Sequence, residues 1–349
     1  MPKFKGFLVG EESFVWTMRG LLKIRELDGD SVLGIDSKGK PSWSALSRRR
    51  HGKGRILRIT TDGSEALISK SSEVFTMSGI KKATSLVKGD ILETYNIPRE
   101  VRERLDAKYK YVDSEVGPIK LNGKLGYILG TQIRSRKFEN KVVIDGINPE
   151  HAYMLADLCH DALEEQYIGG KIYYVRRGTR VRIESRLLAE LCSRISESGI
   201  SLAIREAPST TLREFLCGIL DMMLYKNEAE IPPFYFITLA KHSELRRFIF
   251  NVLRLNGVIP VKTYVIRPKT GLTYIKTYIN TSDLFTLGVR FVRSEKKVVP
   301  KKAVIKPISY SSVRGISHFQ GDTFYLYEPQ LHWSPVLDLT PLHRQMLSE

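Results

Sequence analysis

The sequence predicts an α+β protein in which a duplicated segment of helices and strands interrupts a domain built of short β-strands. Three observations lead to this prediction. Strand-like runs separated by turn signals dominate residues 1 to 95, helices alternate with strand pairs from about residue 117 to 298, and strand-like runs return in the last fifty residues. At 349 residues the chain exceeds what one hydrophobic core usually serves, so two or three domains are expected.

The first region is interpreted as a compact all-β unit. Its runs, among them SFVWTM, DGDSVLGID and GRILRITTDGSEALI, are separated by Gly or Asp-Gly at intervals of about ten residues. The tail carries similar runs at ISYSSVRGI, GDTFYLYEP and LHWSPVLDL. One β domain is therefore predicted in two parts, residues 1–116 with a charged connector at its end, and residues 299–349.

The middle region, residues 117–298, contains one order of elements twice. A helix at LGYILG is followed by strands at IRSRKF and KVVIDGI, the helix PEHAYMLADLCHDALEEQY, the hairpin KIYYVRRGTRVRIES and the helix RLLAELCSRISESG. The order returns from TLREFLCGILDMML through PPFYFIT, SELRRFIFNVLRLNG and VIPVKTYVIRPKTGLTYIKTYI to SDLFTLGVRF. Two αββαββα halves, about 117–207 and 208–298, are predicted to pair around a pseudo-twofold axis.

Several of these segments resemble known families. KLGYILGTQIRSRKF resembles the LAGLIDADG helix of intein-borne homing endonucleases, and LCGILDMML resembles its second copy. LLKIRELDGDSVLGIDSKGKPSW and GDTFYLYEPQLHWSPVLDLTPLH resemble the opening and closing parts of a Hint (intein) fold. The resemblance covers nearly the whole chain. It implies saddle-shaped antiparallel sheets that bind DNA, inserted in a Hint-like β domain.

The resemblance also implies a close crossing of the two motif helices. In the family these helices touch through small residues, and Gly126, Gly130 and Gly218 stand at such positions. Met222 stands at the place equivalent to Gly130 and is larger. The two helices are therefore expected to pack against each other, with Met222 loosening the contact.

The nuclease centre of the resembled family is degenerate in this chain. Thr131 and Met223 stand where the two metal-binding aspartates belong, and neither side chain brings a charged oxygen to a divalent ion. An active nuclease would need displaced acids such as Asp145, Glu139 or Asp221. Asp221 lies two residues before Met223, about 200° around a helix, and so points away from that corner.

The splicing centre is degenerate as well. Intein chemistry needs a Cys or Ser nucleophile, a histidine in the TxxH block and a terminal His-Asn pair. The chain has Phe7 or Leu8 at the first place, Ser72 at the second and Arg344 in place of the asparagine. The Hint-like part is therefore predicted to be a scaffold or binding domain.

Charge points to a polyanionic partner. The chain carries 55 Lys plus Arg against 38 Asp plus Glu, a net charge of +17. The residues predicted to contact nucleic acid lie on the duplicated segment and are Arg134, Arg136, Lys137, Lys141, Arg176, Arg177, Arg180, Arg182, Lys262, Arg267, Lys269 and Lys276. A basic loop in SRRRHGKGR is either a second phosphate contact or a charged hairpin tip, and comprises Arg48, Arg49, Arg50, Lys53 and Arg55.

Together these features predict a domesticated, catalytically inactive protein that binds nucleic acid, with duplex DNA favoured over RNA. The alternatives are an active nuclease with displaced acids, and an RNA- or protein-binding module of a larger assembly. No cofactor or metal is predicted, because the cysteines and histidines lack metal spacing. A monomer without membrane association is expected in the cytoplasm, on the nucleoid if the source is prokaryotic.

Overall fold

The computed structural model describes residues 7–10, 12–35, 41–61, 65–70, 72–76, 78–87, 90–93, 103, 105, 110–115, 117–175, 179–195, 199–227, 234–240, 243–258, 260, 262–266, 274–292, 310–329 and 334–335. The chain forms two compact units. One comprises Met1–Leu105, Ile259–Thr263 and Ile305–Glu349, and the other comprises Asp106–Val258 and Tyr264–Val304.

The N-terminal part consists of strands with two short 3-10 turns. The strands are β1 (Phe7–Gly10), β2 (Phe14–Thr17), β3 (Gly20–Lys23), β4 (Ser31–Ile35), β5 (Pro41–Thr61), β6 (Glu65–Ser69), β7 (Glu73–Thr76), β8 (Gly79–Lys82) and β9 (Ile91–Glu93).

The middle part alternates helices with strands. Its elements are β10 (Tyr111–Val112), β11 (Ile119–Lys120), α1 (Gly123–Thr131), β12 (Lys141–Asp145), α2 (Pro149–Glu164), β13 (Lys171–Val175), β14 (Arg180–Glu184), α3 (Arg186–Ser193), α4 (Leu202–Arg205), α5 (Ser209–Met223), β15 (Tyr225–Asn227), β16 (Phe234–Ala240), α6 (Glu244–Leu255), β17 (Lys262–Ile266), β18 (Tyr274–Ile279) and α7 (Thr281–Leu287). The C-terminal part adds β19 (Tyr310–Pro329) and β20 (Ser334–Pro335).

The first unit is built on one antiparallel sheet. Its order is β3-β2-β4-β5-β6-β1-β19-β9-β7-β8, with β20 beside β4 and a further pairing of β5 with β19. Strands from both ends of the chain therefore share one sheet. Strands β2 and β3 are buried along their whole length, and Trp16 is among the largest buried side chains.

The basic segment SRRRHGKGR belongs to this sheet and is not a loop. It lies within β5, where Arg50 faces Leu326 and Gly54 faces Gly321 of β19. The prediction of a charged hairpin tip is therefore wrong. Its partner strand lies near the other end of the chain, so no local pattern in the sequence shows the pairing.

Polar side chains fix where several helices begin in the second unit. Asn122 accepts a hydrogen bond from the backbone N–H of Leu125 at the start of α1, and Ser185 accepts one from Leu188 at the start of α3. Ser243 does the same at the start of α6. Gly288 ends α7 at a φ of 95°, a conformation that favours glycine.

Helices α1 and α5 cross closely, as the sequence predicts. A Cβ on Gly130 would lie 2.1 Å from the carbonyl oxygen of Phe215, and a Cβ on Gly218 would lie 2.2 Å from that of Tyr127. Backbone therefore meets backbone at both glycines. The contact is reciprocal, because Tyr127 and Phe215 each precede their own crossing glycine by three residues.

This reciprocity corrects the predicted equivalence of the helices. Gly130 matches Gly218 at the crossing, one helical turn away from the predicted match with Met222. The position without a side chain decides where backbones can touch, and Gly218 is the glycine of α5.

The two halves differ in their first strand. The second half has the predicted order αββαββα and a sheet in the order β15-β16-β18-β17. The first half has a sheet in the order β12-β14-β13, and the segment IRSRKF, predicted as a strand, forms a turn followed by irregular backbone. Helix α3 also ends at Ser193, before Gly199.

Side-chain hydrogen bonds explain the turns in IRSRKF. Gln132 Nε2 donates to the carbonyl oxygen of Val143 at 3.2 Å, and Lys137 Nζ donates to that of Gln132 at 2.7 Å. The bond from Gln132 reaches eleven residues along the chain and satisfies a carbonyl of the edge strand β12, which a further strand would otherwise use. The predicted strand pair carrying Arg134, Arg136 and Lys137 is therefore wrong. No helix in the described part of the chain is long and apolar enough to cross a membrane.

Candidate nucleic-acid interface

In the first half of the second unit, the sheet β12-β14-β13 carries charged side chains on the face turned away from the core. This sheet is called the first sheet below. Val181 and Ile183 of β14 are fully buried, so the alternating Arg180 and Arg182 point to the other face, as predicted. Arg182 pairs with Tyr173 of β13 on one side and with Val143 of β12 on the other. The guanidinium carbon of Arg182 is 4.9 Å from the centre of the Tyr173 ring.

A cleft of about 590 Å³ opens beside this face, within the second unit. Both halves contribute to its lining, which consists of Thr131, Arg134, Ser135, Arg136, Phe138, Lys141, Val143, Asp145, Val175, Arg180, Arg182, Met222 and Tyr225. Five of these side chains are cationic and one is acidic. The lining therefore favours an anion.

The acid of the cleft is already paired. Arg180 forms a hydrogen-bonded ion pair with Asp145, which raises the pKa of the guanidinium. Arg182 pairs with Glu184 at 3.0 Å. The Nε atoms of Arg180 and Arg182 are buried and have no hydrogen-bond partner in the described part of the chain. Part of the donor capacity of these arginines is thus unsatisfied.

The segment IRSRKF after α1, called the turn segment, adds cations that contact aromatic and backbone groups. Lys141 Nζ lies 4.8 Å and the guanidinium carbon of Arg136 5.7 Å from the centre of the Phe138 ring. Arg134 Nη2 lies 3.4 Å from the carbonyl oxygen of Thr238. Arg134 therefore reaches from the first half to the sheet of the second.

The sheet of the second half, β15-β16-β18-β17, is called the second sheet, and its outward face is aromatic rather than arginine-rich. Tyr225 stacks on Phe236 with ring centres 5.6 Å apart, and Phe236 packs on Tyr278 at 5.4 Å. Lys276 Nζ lies 3.7 Å from the centre of the Phe236 ring. In the described residues the two faces thus differ in chemistry, although the sequence predicts basic positions in both halves.

The predicted contact residues are distributed as follows. The cleft brings together Arg134, Arg136, Lys141, Arg180 and Arg182, whereas Lys276 lies on the second sheet and Lys137 does not line the cleft. Outside the described residues lie Arg176, Arg177, Arg267, Lys269 and Arg344. Only the backbone is described for Lys262, Arg48, Arg49, Arg50, Lys53 and Arg55, and Ser72 of the splicing block is buried.

Sequence reasoning missed the aromatic lining residues Phe138 and Tyr225 and the ion pair of Asp145. Tyr225 comes directly after α5, and that position just past a motif helix is the signal that could have identified it.

The nuclease positions do not fit a divalent metal. Thr131 Oγ1 donates to the carbonyl oxygen of Ile128 at 2.6 Å and accepts a hydrogen bond from Gln132. On the second helix Met222 lines the cleft, whereas the predicted Met223 is buried and is not among the lining residues. A thioether and a hydroxyl already engaged are poor ligands for Mg²⁺. Among the described residues, no three His, Cys, Asp or Glu side chains are grouped as a metal site requires.

Asp221 has a structural role away from the cleft. Its carboxylate accepts hydrogen bonds from the Tyr127 hydroxyl at 2.9 Å and from the backbone N–H groups of Arg290 at 3.1 Å and Phe291 at 2.6 Å. Phe291 has a φ of 54°, which a non-glycine residue rarely adopts. Asp221 therefore joins the two motif helices and holds the strained turn after α7.

Burial raises the pKa of Asp221 to about 6, although its hydrogen-bond donors and Arg290 oppose the shift. Burial also raises the pKa of the Tyr127 phenol, and the charge of Asp221 adds to this. The three cysteines are buried and free, and burial raises the pKa of their thiols.

We expect Asp221 to make stability depend on pH. Between the unfolded pKa near 4 and the folded pKa, the native chain holds a proton that the unfolded chain releases, so stability falls as pH rises. Relative to Asp221→Asn, the free energy of unfolding should fall by about 2 kcal/mol from about pH 4 to 6.5. Urea denaturation of both proteins across this range measures the difference. A difference that does not change with pH would contradict this account.

No family model and no curated protein matches the sequence. A structure described as I-DmoI in complex with DNA and Ca shows 18% identity and a TM-score of 0.35, over 47% of this chain and 86% of that chain. A structure of variants of the homing endonuclease I-DmoI also matches, with 18% identity and a TM-score of 0.35 over 48% of this chain and 87% of that chain.

Intein structures also match the chain. The DnaX mini intein from Spirulina platensis shows 20% identity and a TM-score of 0.25 over 26% of this chain and 70% of that chain. The gp41-1 intein shows 22% identity and a TM-score of 0.22 over 26% and 69%. The predicted double resemblance, to LAGLIDADG homing endonucleases and to inteins, is confirmed, with matches that cover about half and about a quarter of the chain.

Proposed function

We propose that this chain binds duplex DNA on the sheet faces of its second unit and does not cleave it. The observation that carries the proposal is the cationic cleft, where Arg134, Arg136, Lys141, Arg180 and Arg182 come together around a single, already paired carboxylate. Phosphate contacts by arginine and lysine supply most of the affinity of such proteins for DNA. A net charge of +17 adds long-range attraction.

Absence of cleavage follows from the residues at the helix ends. Metal-dependent hydrolysis of a phosphodiester needs carboxylates that hold the ion against the phosphate. Thr131 of α1 and Met222 of α5 line the cleft, and neither side chain is a carboxylate. None of the three displaced acids is placed to hold the ion. Asp145 is paired with Arg180, and the buried Asp221 accepts hydrogen bonds from three donors. Glu139 is exposed and does not line the cleft.

The proposal extends to the organisation of the chain. Residues 117–298 form the DNA-binding part, with halves at about 117–207 and 208–298. Residues 1–116 and 299–349 form the Hint-like scaffold that carries it. The scaffold takes no part in splicing, because Ser72 stands in place of the block histidine and Arg344 in place of the terminal asparagine.

The test is a binding titration with DNA and RNA duplexes of one sequence. We expect DNA to bind more tightly, and its affinity to fall by roughly 10³ to 10⁵ between about 50 and 200 mM salt if six to ten phosphates are contacted. Tighter binding of RNA, or weak binding of both duplexes at low salt, would contradict the proposal.

Supercoiled plasmid incubated with the protein and Mg²⁺ tests the second part. The plasmid should stay supercoiled. Nicking that requires Mg²⁺ and disappears in Asp145→Asn would show that the cleft is a working nuclease centre, and the proposal of a non-cleaving protein would then be wrong.

A further inference from the structure

We infer that the cleft binds one nucleotide unit, a phosphate with its base, that leaves the base stack of bound DNA. This inference rests on the proposed function. The cleft of about 590 Å³ lies in the range of sites for small ligands and exceeds what contact with a single phosphate oxygen needs. Its lining includes Arg180 and Arg182 of the sheet face proposed to hold the duplex, so a nucleotide still attached to the duplex can reach it.

The phosphate half of the site consists of guanidinium groups. Arg134 and Arg136 come from the turn segment, and Arg180 and Arg182 from β14. Arginine presents a planar fork of donors that matches phosphate oxygens. The buried Nε groups of Arg180 and Arg182 have no acceptor in the described part of the chain, and the only acid of the lining is held by Arg180.

The base half of the site is the ring of Tyr225. This side chain is 54% exposed, lines the cleft and stacks on Phe236 with an angle of 24° between the rings. Phe236 is in turn fixed by Tyr278 and Lys276, so Tyr225 rests on a rigid support. Phe138, the other aromatic of the lining, is occupied by Lys141 and Arg136.

An unpaired nucleotide should therefore bind better than a paired one. Extrusion of a base from a perfect duplex costs its stacking and pairing, whereas a nucleotide without a partner has already lost its pairing. Stacking on a protein aromatic ring stabilises the bound base by the same amount whether or not the nucleotide was paired before. We expect a duplex with one unpaired nucleotide to bind about tenfold more tightly than the perfect duplex at the same salt.

The test compares the two duplexes with three tyrosine variants. In Tyr225→Ala the ratio of the two affinities should fall to about one, and in Tyr225→Phe it should stay about tenfold, because the ring is kept. Tyr167→Ala is the matched control, since Tyr167 is 97% exposed and does not line this cleft, and it should keep the wild-type ratio. Thermal denaturation of each variant verifies that it is folded.

The outcomes separate the inference from the proposed function. If the perfect duplex binds in the expected salt-dependent way but the wild-type ratio is one, or Tyr225→Ala keeps the ratio, the nucleotide site is wrong and the DNA-binding proposal stands. If neither duplex binds, both fail. Deoxyadenosine monophosphate tests whether the cleft also binds a free nucleotide, which has the same phosphate and base. If deoxyadenosine monophosphate binds the parent and not Tyr225→Ala, the site takes free nucleotides as well as DNA. If it does not bind but the parent keeps the tenfold ratio of duplex affinities, the site takes a nucleotide of DNA alone.

Discussion

Gly218→Ala is expected to destabilise the second unit by about 3 to 5 kcal/mol, a large effect for one methyl group. The new Cβ would lie 2.2 Å from the carbonyl oxygen of Tyr127 and 3.0 Å from the backbone nitrogen of Thr131. Both neighbours are backbone, so no flexible side chain can move aside. Helix α1 must shift or tilt, and the core between α1 and α5 must repack with it.

The sign of this effect is opposite to that of intrinsic helix propensity. Alanine is favoured over glycine by about 1 kcal/mol in a helix interior, so any loss of stability must come from the crossing. Gly123→Ala in α1 is the matched control. Its Cβ would meet only the flexible side chain of Glu214, at 3.1 Å, and its effect should stay within about 1 kcal/mol. Equal unfolding free energies of the two variants in urea would show that the helices do not cross as described.

Replacing Arg180 and Arg182 together by alanine is expected to weaken duplex DNA binding by about ten- to a hundredfold at low salt. The slope of log affinity against log salt should flatten by about two, one unit for each lost phosphate contact. The loss has a second cause, because Asp145 would lose the partner that neutralises it inside the cleft.

The control for this variant removes equal charge elsewhere in the same unit. Arg186 and Arg194 flank helix α3 and do not line the cleft, so their double alanine variant should bind DNA within about threefold of the parent. Equal losses in the two variants would mean that net charge, not the cleft, governs binding. A larger loss of affinity in the triple alanine variant of Arg48, Arg49 and Arg50 than in the variant of Arg180 and Arg182 would mean that the binding surface lies in the β domain instead.

Local patterns in the sequence predict the helices and the hairpin well, and they predict that α1 and α5 cross closely, but they do not predict which residues match at the crossing. The periodicity of α2 and α6 and the capping residues of α1, α3 and α6 act within a few residues, so they are visible in the sequence. Alternation along β14 likewise predicts that Arg180 and Arg182 share a face.

Failures of prediction arise where distant residues decide. The segment after α1 forms turns because Gln132 finds the carbonyl of Val143, and the match of Gly130 with Gly218 is set by packing rather than by motif alignment. The cleft joins Arg134 to Tyr225, which are far apart in the chain, so its aromatic wall could not be recognised from spacing.

The bond between Tyr127 and Asp221 bears on how the duplicated unit can evolve. Asp221 follows its crossing glycine by three residues, and the matching residue after Gly130 is Ile133. A homodimer of first halves would bury the Tyr127 hydroxyl against Ile133, and a homodimer of second halves would set Asp221 against Phe215, which has no hydroxyl. The two cases are not equal, because Asp221 would keep the backbone N–H donors of Arg290 and Phe291 from its own half, whereas the buried Tyr127 hydroxyl would lose its carboxylate acceptor. The bond therefore favours pairing of the first half with the second over pairing of the first half with itself.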